Sequence, residues 1–448
     1  MMKLKHSRTA TRTFVAAVLL LTLTGCGTNM ISTTSTQATP AVAGAALQGR
    51  VFGGQQPVSN ATVQLYAVSS TGYGATSTAL LTVPALTSLT GSFSIAGQYQ
   101  CPAANPPVYL VATGGNPGTS SLTANNSALA MMVGLGPCSG IAGSTIKVNE
   151  LTTVASVWAL APFMTSYKAV GTSATNAQGL TNAFAAINKI VTVSAGTMPG
   201  ATLPTGATLP TQLINTIADI LASCINTVDQ TGGGMSSNCN SLFSYTPNST
   251  GAPKDTIQAA INMAQNPALS LSALTSLIDA VGAPYQPALS SAPTSWTLAI
   301  NYVGGGLSNP KAIATDASGN VWVANNGNNS VTKLSNVGAA ISGTKGFTAG
   351  SINTPTALAI DTSGAPWIAN SGTNTLTHLT ASGTSGTLST GGGLSAPSGI
   401  AIDTNGDVWV SNAGSSSISE FTSGGAALSP STGFTGGGVN VPTAIAIE

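Results

Sequence analysis

A sixteen-residue segment is written three times into the last third of the chain, and no other feature limits the fold as tightly. It runs from Pro310 to Asn325, from Pro355 to Asn370 and from Pro397 to Asn412. Asp316, Asp361 and Asp403 stand at one place in the three copies, Trp322, Trp367 and Trp409 at a second, and Asn325, Asn370 and Asn412 at a third. Successive copies are 45 and 42 residues apart. Each reads as an apolar strand, a tight Asp-x-x-Gly turn, a second strand carrying the Trp, and an Asn with Gly before a third strand. Strand-turn-strand content at a period of about 40 to 50 residues is the pattern of a β-propeller blade. A fourth copy opens at Pro442, and Glu448 stands where its turn Asp is due. We therefore expect a partial propeller of about three blades plus a stub. A fragment of a longer chain is the expected explanation, and an open arc with exposed sheet edges is the alternative.

The copies resemble NHL repeats and the blades of virginiamycin B lyase-like proteins, over roughly residues 296 to 448. That resemblance implies a propeller with a funnel-like central site. Where NHL repeats carry acidic and Arg residues in the later loop, this chain has Asn-Gly with Ser or Thr, which removes a charge-based way of recognising partners. Within each copy the Asp is expected to cap its turn by accepting backbone N–H groups. The Trp is expected to pack between blades. The Asn either presents its amide at a rim or sits in the hairpin, and a structural role is favoured for all three positions.

The amino terminus has a different logic. Lys3, Lys5, Arg8 and Arg12 precede an apolar run from Phe14 to Leu23, followed by Leu23-Thr24-Gly25-Cys26. About ten apolar residues are too few to span a bilayer but suit a signal peptide. The tetrapeptide resembles the lipobox of bacterial lipoproteins, which implies cleavage before Cys26 and acylation of its sulfur; an ordinary secretory signal is the alternative. The expected address is an exported, membrane-anchored lipoprotein, in the outer membrane of a diderm since Gly27 follows the Cys. Residues 27–43, rich in Thr, Ser and Ala, read as a flexible tether with a reach of roughly 20–25 Å.

Four cysteines remain, and an even number in an exported chain reads as two disulfides. Three pairings are open; Cys101 with Cys138 and Cys224 with Cys239 is favoured. The close Cys spacing and nearby His of a zinc site are missing.

The rest divides by pattern. Residues 44–126 alternate apolar and polar in short segments between Gly, Pro, Asn and Ser clusters, as a β-sandwich does. Gly49-Arg50-Val51, Pro57 to Leu65 and Gly91 to Ile95 resemble carboxypeptidase regulatory-like domains, implying a transthyretin-like sandwich used as a spacer or binding module. Residues 127–290 read as a helical bundle. Asn149 is its first N-cap, with Glu150 in the first turn where the helix dipole favours an acid. Further helices are expected over Leu180–Val191, Gln212–Val228, Asp255–Ala264 and Leu271–Val281. The fold class is thus multidomain: sandwich, helical domain, then propeller blades over 291–448.

Composition excludes several functions. Charged residues are 5% of the chain, and without the leader eight basic residues face eleven acidic ones. So sparse a charge cannot neutralise a row of phosphates, and nucleic acid is not an expected partner. Of two His, His6 lies in the leader and His378 stands on a strand with no partner at fixed spacing. Catalytic triads and His-based metal sites need more than that, and the glycine clusters lack the Lys and helix of a phosphate loop. No catalytic residue, metal or cofactor is expected. The leading reading is a non-enzymatic binding or scaffold lipoprotein whose blades meet an envelope protein, peptide or polysaccharide. The alternative is a propeller-type lyase or lactonase whose site lies in further blades.

Overall fold

The computed structural model describes residues 42–97, 99–118, 124–141, 143, 145–278 and 283–447. Cys26, nearly all of the tether and Glu448 lie outside the described residues. Residues 41–448 form one compact unit. Strands of four or more residues and helices of nine or more are numbered below in chain order.

Two small sheets open the fold. β1 (Leu47–Gly53), β2 (Thr62–Ala67), β3 (Ser92–Ile95) and β4 (Pro107–Thr113) alternate buried and exposed positions wherever one face meets solvent. They are followed by β5 (Ala130–Pro137) and β6 (Thr145–Val148). One sheet runs β5-β4-β2, and β6 joins β1 in parallel beside β3 in the other. Residues 130–137 and 145–148 fall in the stretch expected to be helical, so that expectation is corrected. The run Ala128 to Val133 is apolar without interruption, and such a run does not by periodicity distinguish a buried strand from a helix.

What settles it is how the edge of β5 is covered. Alternate N–H groups of this strand, at Ala130, Met132 and Gly134, donate to the hydroxyls of Thr256, Thr153 and Ser156, each at 3.0 Å. Thr153 and Ser156 belong to α1 (Glu150–Leu160), and Thr256 begins α5 (Thr256–Gln265). Helix side chains thus satisfy the edge, and a pairing site for foreign strands is closed. The disulfide Cys101–Cys138 ties the end of β5 back to the other strands.

α2 (Ala177–Ile190), α3 (Thr211–Ile225) and α4 (Ser237–Tyr245) complete the helices of this length, and Cys224–Cys239 joins α3 to α4. Asn149 caps α1: its side chain accepts from Thr152 N at 3.0 Å, and the Thr152 hydroxyl accepts from Asn149 N at 2.9 Å. One hydrophobic core runs through sheets and helices from Leu47 to Trp296. Trp296 closes it: its indole donates to Leu269 O at 2.8 Å, and the Trp158 indole donates to Trp296 O at 2.7 Å. Just beyond, Asn301–Tyr302 pairs with Ala207–Thr208.

The last third forms three antiparallel sheets in series. They are β7 (Pro310–Thr315), β8 (Val321–Asn325) and β9 (Ser330–Leu334); then β10 (Pro355–Ile360), β11 (Pro366–Asn370), β12 (Thr375–Leu379) and β13 (Gly386–Ser389); then β14 (Pro397–Ile402), β15 (Val408–Asn412) and β16 (Ser417–Phe421). The sheets pack face to face as blades, each with its own small core against the next. This is a propeller-like arc, and no closed ring is formed among the described residues.

Candidate functional site

The repeated polar residues come together inside each blade. Asp316 Oδ1 accepts from Ser318 N at 3.0 Å and Asn320 N at 2.9 Å; Asp361 and Asp403 accept from the same turn positions. The second carboxylate oxygen receives the indole N–H of Trp322 at 3.2 Å in the first blade and of Trp409 at 3.3 Å in the third. Burial works to raise the pKa of these Asp residues, but the surrounding donors outweigh it and hold all three below the usual carboxylate range.

Asn325, Asn370 and Asn412 are fully buried. Asn370 Nδ2 donates to Thr375 and Thr377 at 3.2 and 2.9 Å, and its Oδ1 accepts from Asn353 N at 3.1 Å; the other two copies repeat the pattern with Ser and Thr. These amides staple a strand to the loop before its blade and are not offered at a rim. Trp322 packs against Leu358 and Ile368 of the second blade, and Trp367 against Val408 and Val410 of the third. Trp409, in the third blade, is only half-buried.

The repeat also contains a position that varies. Cross-strand register places Lys333 opposite Trp322, His378 opposite Trp367 and Glu420 opposite Trp409. The His378 ring stacks on Trp367 with centroids 4.1 Å apart, and its Nε2 lies 3.0 Å from Asp361 Oδ2. His378 therefore has a partner, contrary to the expectation from the sequence. The partner is 17 residues away, and only the pairing of β11 with β12 brings the two together. Lys333 does the same work in the first blade: Nζ lies 3.6 Å from Asp316 Oδ2 and 4.4 Å from the Trp322 ring centre, and donates to Ala381 O at 2.8 Å. Aligning the three copies on Trp was the signal that could have found this site.

His378 opens onto a groove of about 410 Å³ lined by Ser363, Thr380, Ser385 and Thr387. Chemically it holds an imidazole oriented by a carboxylate, among hydroxyls, beside an aromatic ring. The Ser363 hydroxyl donates to Asp361 Oδ1 at 2.6 Å and is engaged there. Among the described residues no group of three or more His, Cys, Asp or Glu is placed to hold a metal, and no helix is long and apolar enough to cross a membrane.

A second polar cluster lies deep in the first part of the fold. The fully buried Glu150 accepts from Gly54 N at 2.7 Å and from the Tyr285 hydroxyl at 2.6 Å, while Asp219 accepts from Tyr285 N at 2.9 Å. Burial raises both carboxyls to about 7, against the pull of those hydrogen bonds. Glu150 is thus a tie between three segments as well as a first-turn acid.

No protein-family model and no curated protein matches the chain. Solved structures match in part. A streptogramin B lyase is 22% identical over 27% of this chain and 40% of its own, with a TM-score of 0.25. A virginiamycin B lyase from Staphylococcus aureus is 23% identical over 26% and 39%, with a TM-score of 0.24. The extracellular domain of a putative one-component system from B. thetaiotaomicron is 19% identical over 30% and 18%, with a TM-score of 0.23. The chain thus spans well under half the length of these structures.

Proposed function

We propose that this protein is an exported lipoprotein, held to a membrane through Cys26, that binds a polymer or protein of the cell envelope on its blades. The observation that carries this reading is a contrast within the repeat. Asp, Trp and Asn are spent inside every blade, while the position opposite the Trp changes from Lys333 to His378 to Glu420, and the middle one faces a groove. A constant frame with one varied position, buried at Lys333 but part-exposed at His378 and Glu420, is how a scaffold displays recognition groups. Hydroxyls and a single imidazole suit a neutral polysaccharide or a peptide better than an ionic ligand. The transthyretin-like part and the helices serve as the spacer between anchor and blades, and the two disulfides suit an oxidising compartment.

Two measurements test it. Radiolabelled palmitate should enter the wild-type chain and not Cys26→Ser; label in neither chain refutes the anchor. Calorimetric titration with purified envelope polysaccharide and peptide fractions should show binding without conversion, weakened about tenfold by His378→Ala, a loss of about 1.4 kcal/mol. The pairing of His378 with Asp361 favours a second reading, a lyase or lactonase with an oriented base. Product formation that vanishes in His378→Ala would replace the binding reading with that one.

A further inference from the structure

The outer face of the sheet built by β3, β1 and β6 carries two cations that the fold itself leaves without a counter-charge. Register sets Ser92, Arg50 and Lys147 abreast on these three strands, and Gln48 beside Thr145 one pleat away. All five point outward: Gln48, Arg50 and Thr145 are exposed and Ser92 and Lys147 half-buried, while Gly49, Phe93 and Ile146 between them are buried. Adjacent strands lie about 4.8 Å apart, so the two cationic side chains leave the sheet side by side. Like charges at neighbouring sheet positions repel and cost stability. Among the described residues neither cation forms an ion pair. Glu150, the acid nearest to Lys147 in sequence, is fully buried and engaged by Gly54 and Tyr285. Arg50 is also the only arginine after Arg12, in a chain of which 5% is charged. A like-charged pair kept under those conditions indicates an anion supplied from outside.

The pair stands at a groove of about 340 Å³ that Gln48, Ser92, Thr145 and Ser194 also line. Lys147 is held ready there. Its Nζ lies 4.7 Å from the Phe52 ring centre, and its N–H donates to Val193 O at 3.0 Å. A Cβ on Gly196, at φ +65°, would lie 2.8 Å from Lys147 Cδ, so glycine is what lets the loop after α2 close against the lysine stem. That loop also brings Ser194 to the groove. Asn149, beyond its capping role, donates from Nδ2 to Gly196 O at 2.9 Å and pins the loop. A site ordered before its ligand arrives loses less freedom on binding.

We propose that this groove binds a sugar carrying one oxyanion, a carboxylate or a phosphate. The oxyanion accepts from the Arg50 guanidinium, whose planar fork matches paired oxygens, and from Lys147 Nζ. The ring hydroxyls meet Gln48, Ser92, Thr145 and Ser194, whose amide and hydroxyl groups both donate and accept. The volume falls at the small end of ligand sites, about 300–1,000 Å³, and suits a monosaccharide or disaccharide unit. Two cations cannot follow a row of phosphates, so the site reads one charged group. It lies on the sandwich, away from His378, and gives the part described above as a spacer a binding role that does not depend on the blades.

Calorimetric titration of the purified full chain with glucuronate and with a glucose phosphate ester tests this. At least one of the two should bind, and the tighter one identifies the charged group; glucose and inorganic phosphate should each bind about tenfold more weakly than it. Arg50→Gln and Lys147→Gln should each weaken that sugar about tenfold. Arg50→Gln removes repulsion at an exposed position, so its melting temperature should equal or exceed that of wild type. Failure of both anionic sugars to bind overturns the proposal. So does inorganic phosphate binding as tightly as either, which would mark an anion site without sugar recognition. Binding that survives Arg50→Gln and is lost in His378→Ala would put the sugar on the blades and overturn it too. A lowered melting temperature in Arg50→Gln with unchanged affinity would give Arg50 a structural role and do the same.

Discussion

Replacing Glu150 by Gln should reverse the pH preference of a large part of the fold's stability. The Glu150 carboxyl is fully buried, and burial lifts its pKa from 4.5 to about 7 despite the hydrogen bonds from Tyr285 and Gly54. A group raised on folding binds its proton more tightly in the native state. Its stabilising contribution is therefore complete below pH 4.5 and is lost as pH climbs through 7. A shift of that size corresponds to about 3 kcal/mol. Gln cannot ionise, so it avoids that loss. Its amide presents one acceptor oxygen where the carboxyl met two donors, however, and this should cost about 1 kcal/mol at every pH. The two stability curves should cross: Glu150→Gln below wild type by about 1 kcal/mol at acid pH, and above it by about 2 kcal/mol once the carboxyl ionises. Guanidinium unfolding at a series of pH values from below 4.5 to above 7 reads both ends. Asp255 is also raised and titrates in both proteins, whereas the Asp219 charge helps to raise Glu150, so the same pair of curves in an Asp219→Asn background isolates Glu150. Parallel curves would refute the reasoning, because they would mean that ionised Glu150 is tolerated in the native state.

Other consequences can be measured in the same way. Trp322→Ala empties a fully buried place between blades and should cost about 3–5 kcal/mol, whereas Trp409→Ala, at a half-open site, should cost less than half of that; equal losses would contradict the packing described. Asn370→Ala leaves Asn353 N–H without its acceptor and should destabilise by about 2 kcal/mol in denaturant unfolding. Removing Cys101–Cys138, which spans 37 residues, should cost about 4 kcal/mol by loop entropy, against about 3 kcal/mol for Cys224–Cys239, which spans 15; the reverse order would show that native contacts outweigh the loop term.

The blades were legible because their spacing is a property of the chain itself: Asp, Gly, Trp and Asn recur at fixed offsets, and each does a local job that sequence can anticipate. Asn149 as a cap was readable for the same reason. The edge strand β5 was not, since it depends on Thr153, Ser156 and Thr256 reaching its N–H groups from helices up to 126 residues away. His378 was missed for a related reason. Its partner Asp361 belongs to a different turn of the same blade, and period-two alternation within one strand says nothing about which residue stands across from it. Glu150 was read through the helix dipole, a local effect, whereas its main partners Gly54 and Tyr285 are distant in the chain and meet it only through packing.

Trp296 has a mechanical consequence. The blade array is riveted at its leading end, where the Trp296 indole donates to Leu269 O, the Trp296 carbonyl accepts from the Trp158 indole, and Tyr302 continues into a short ladder with Ala207. Loosening should therefore travel in one direction, from Trp409 back toward the rivet. Amide deuteration along the three Trp-bearing strands should register that gradient as a clock that runs fastest at the far end.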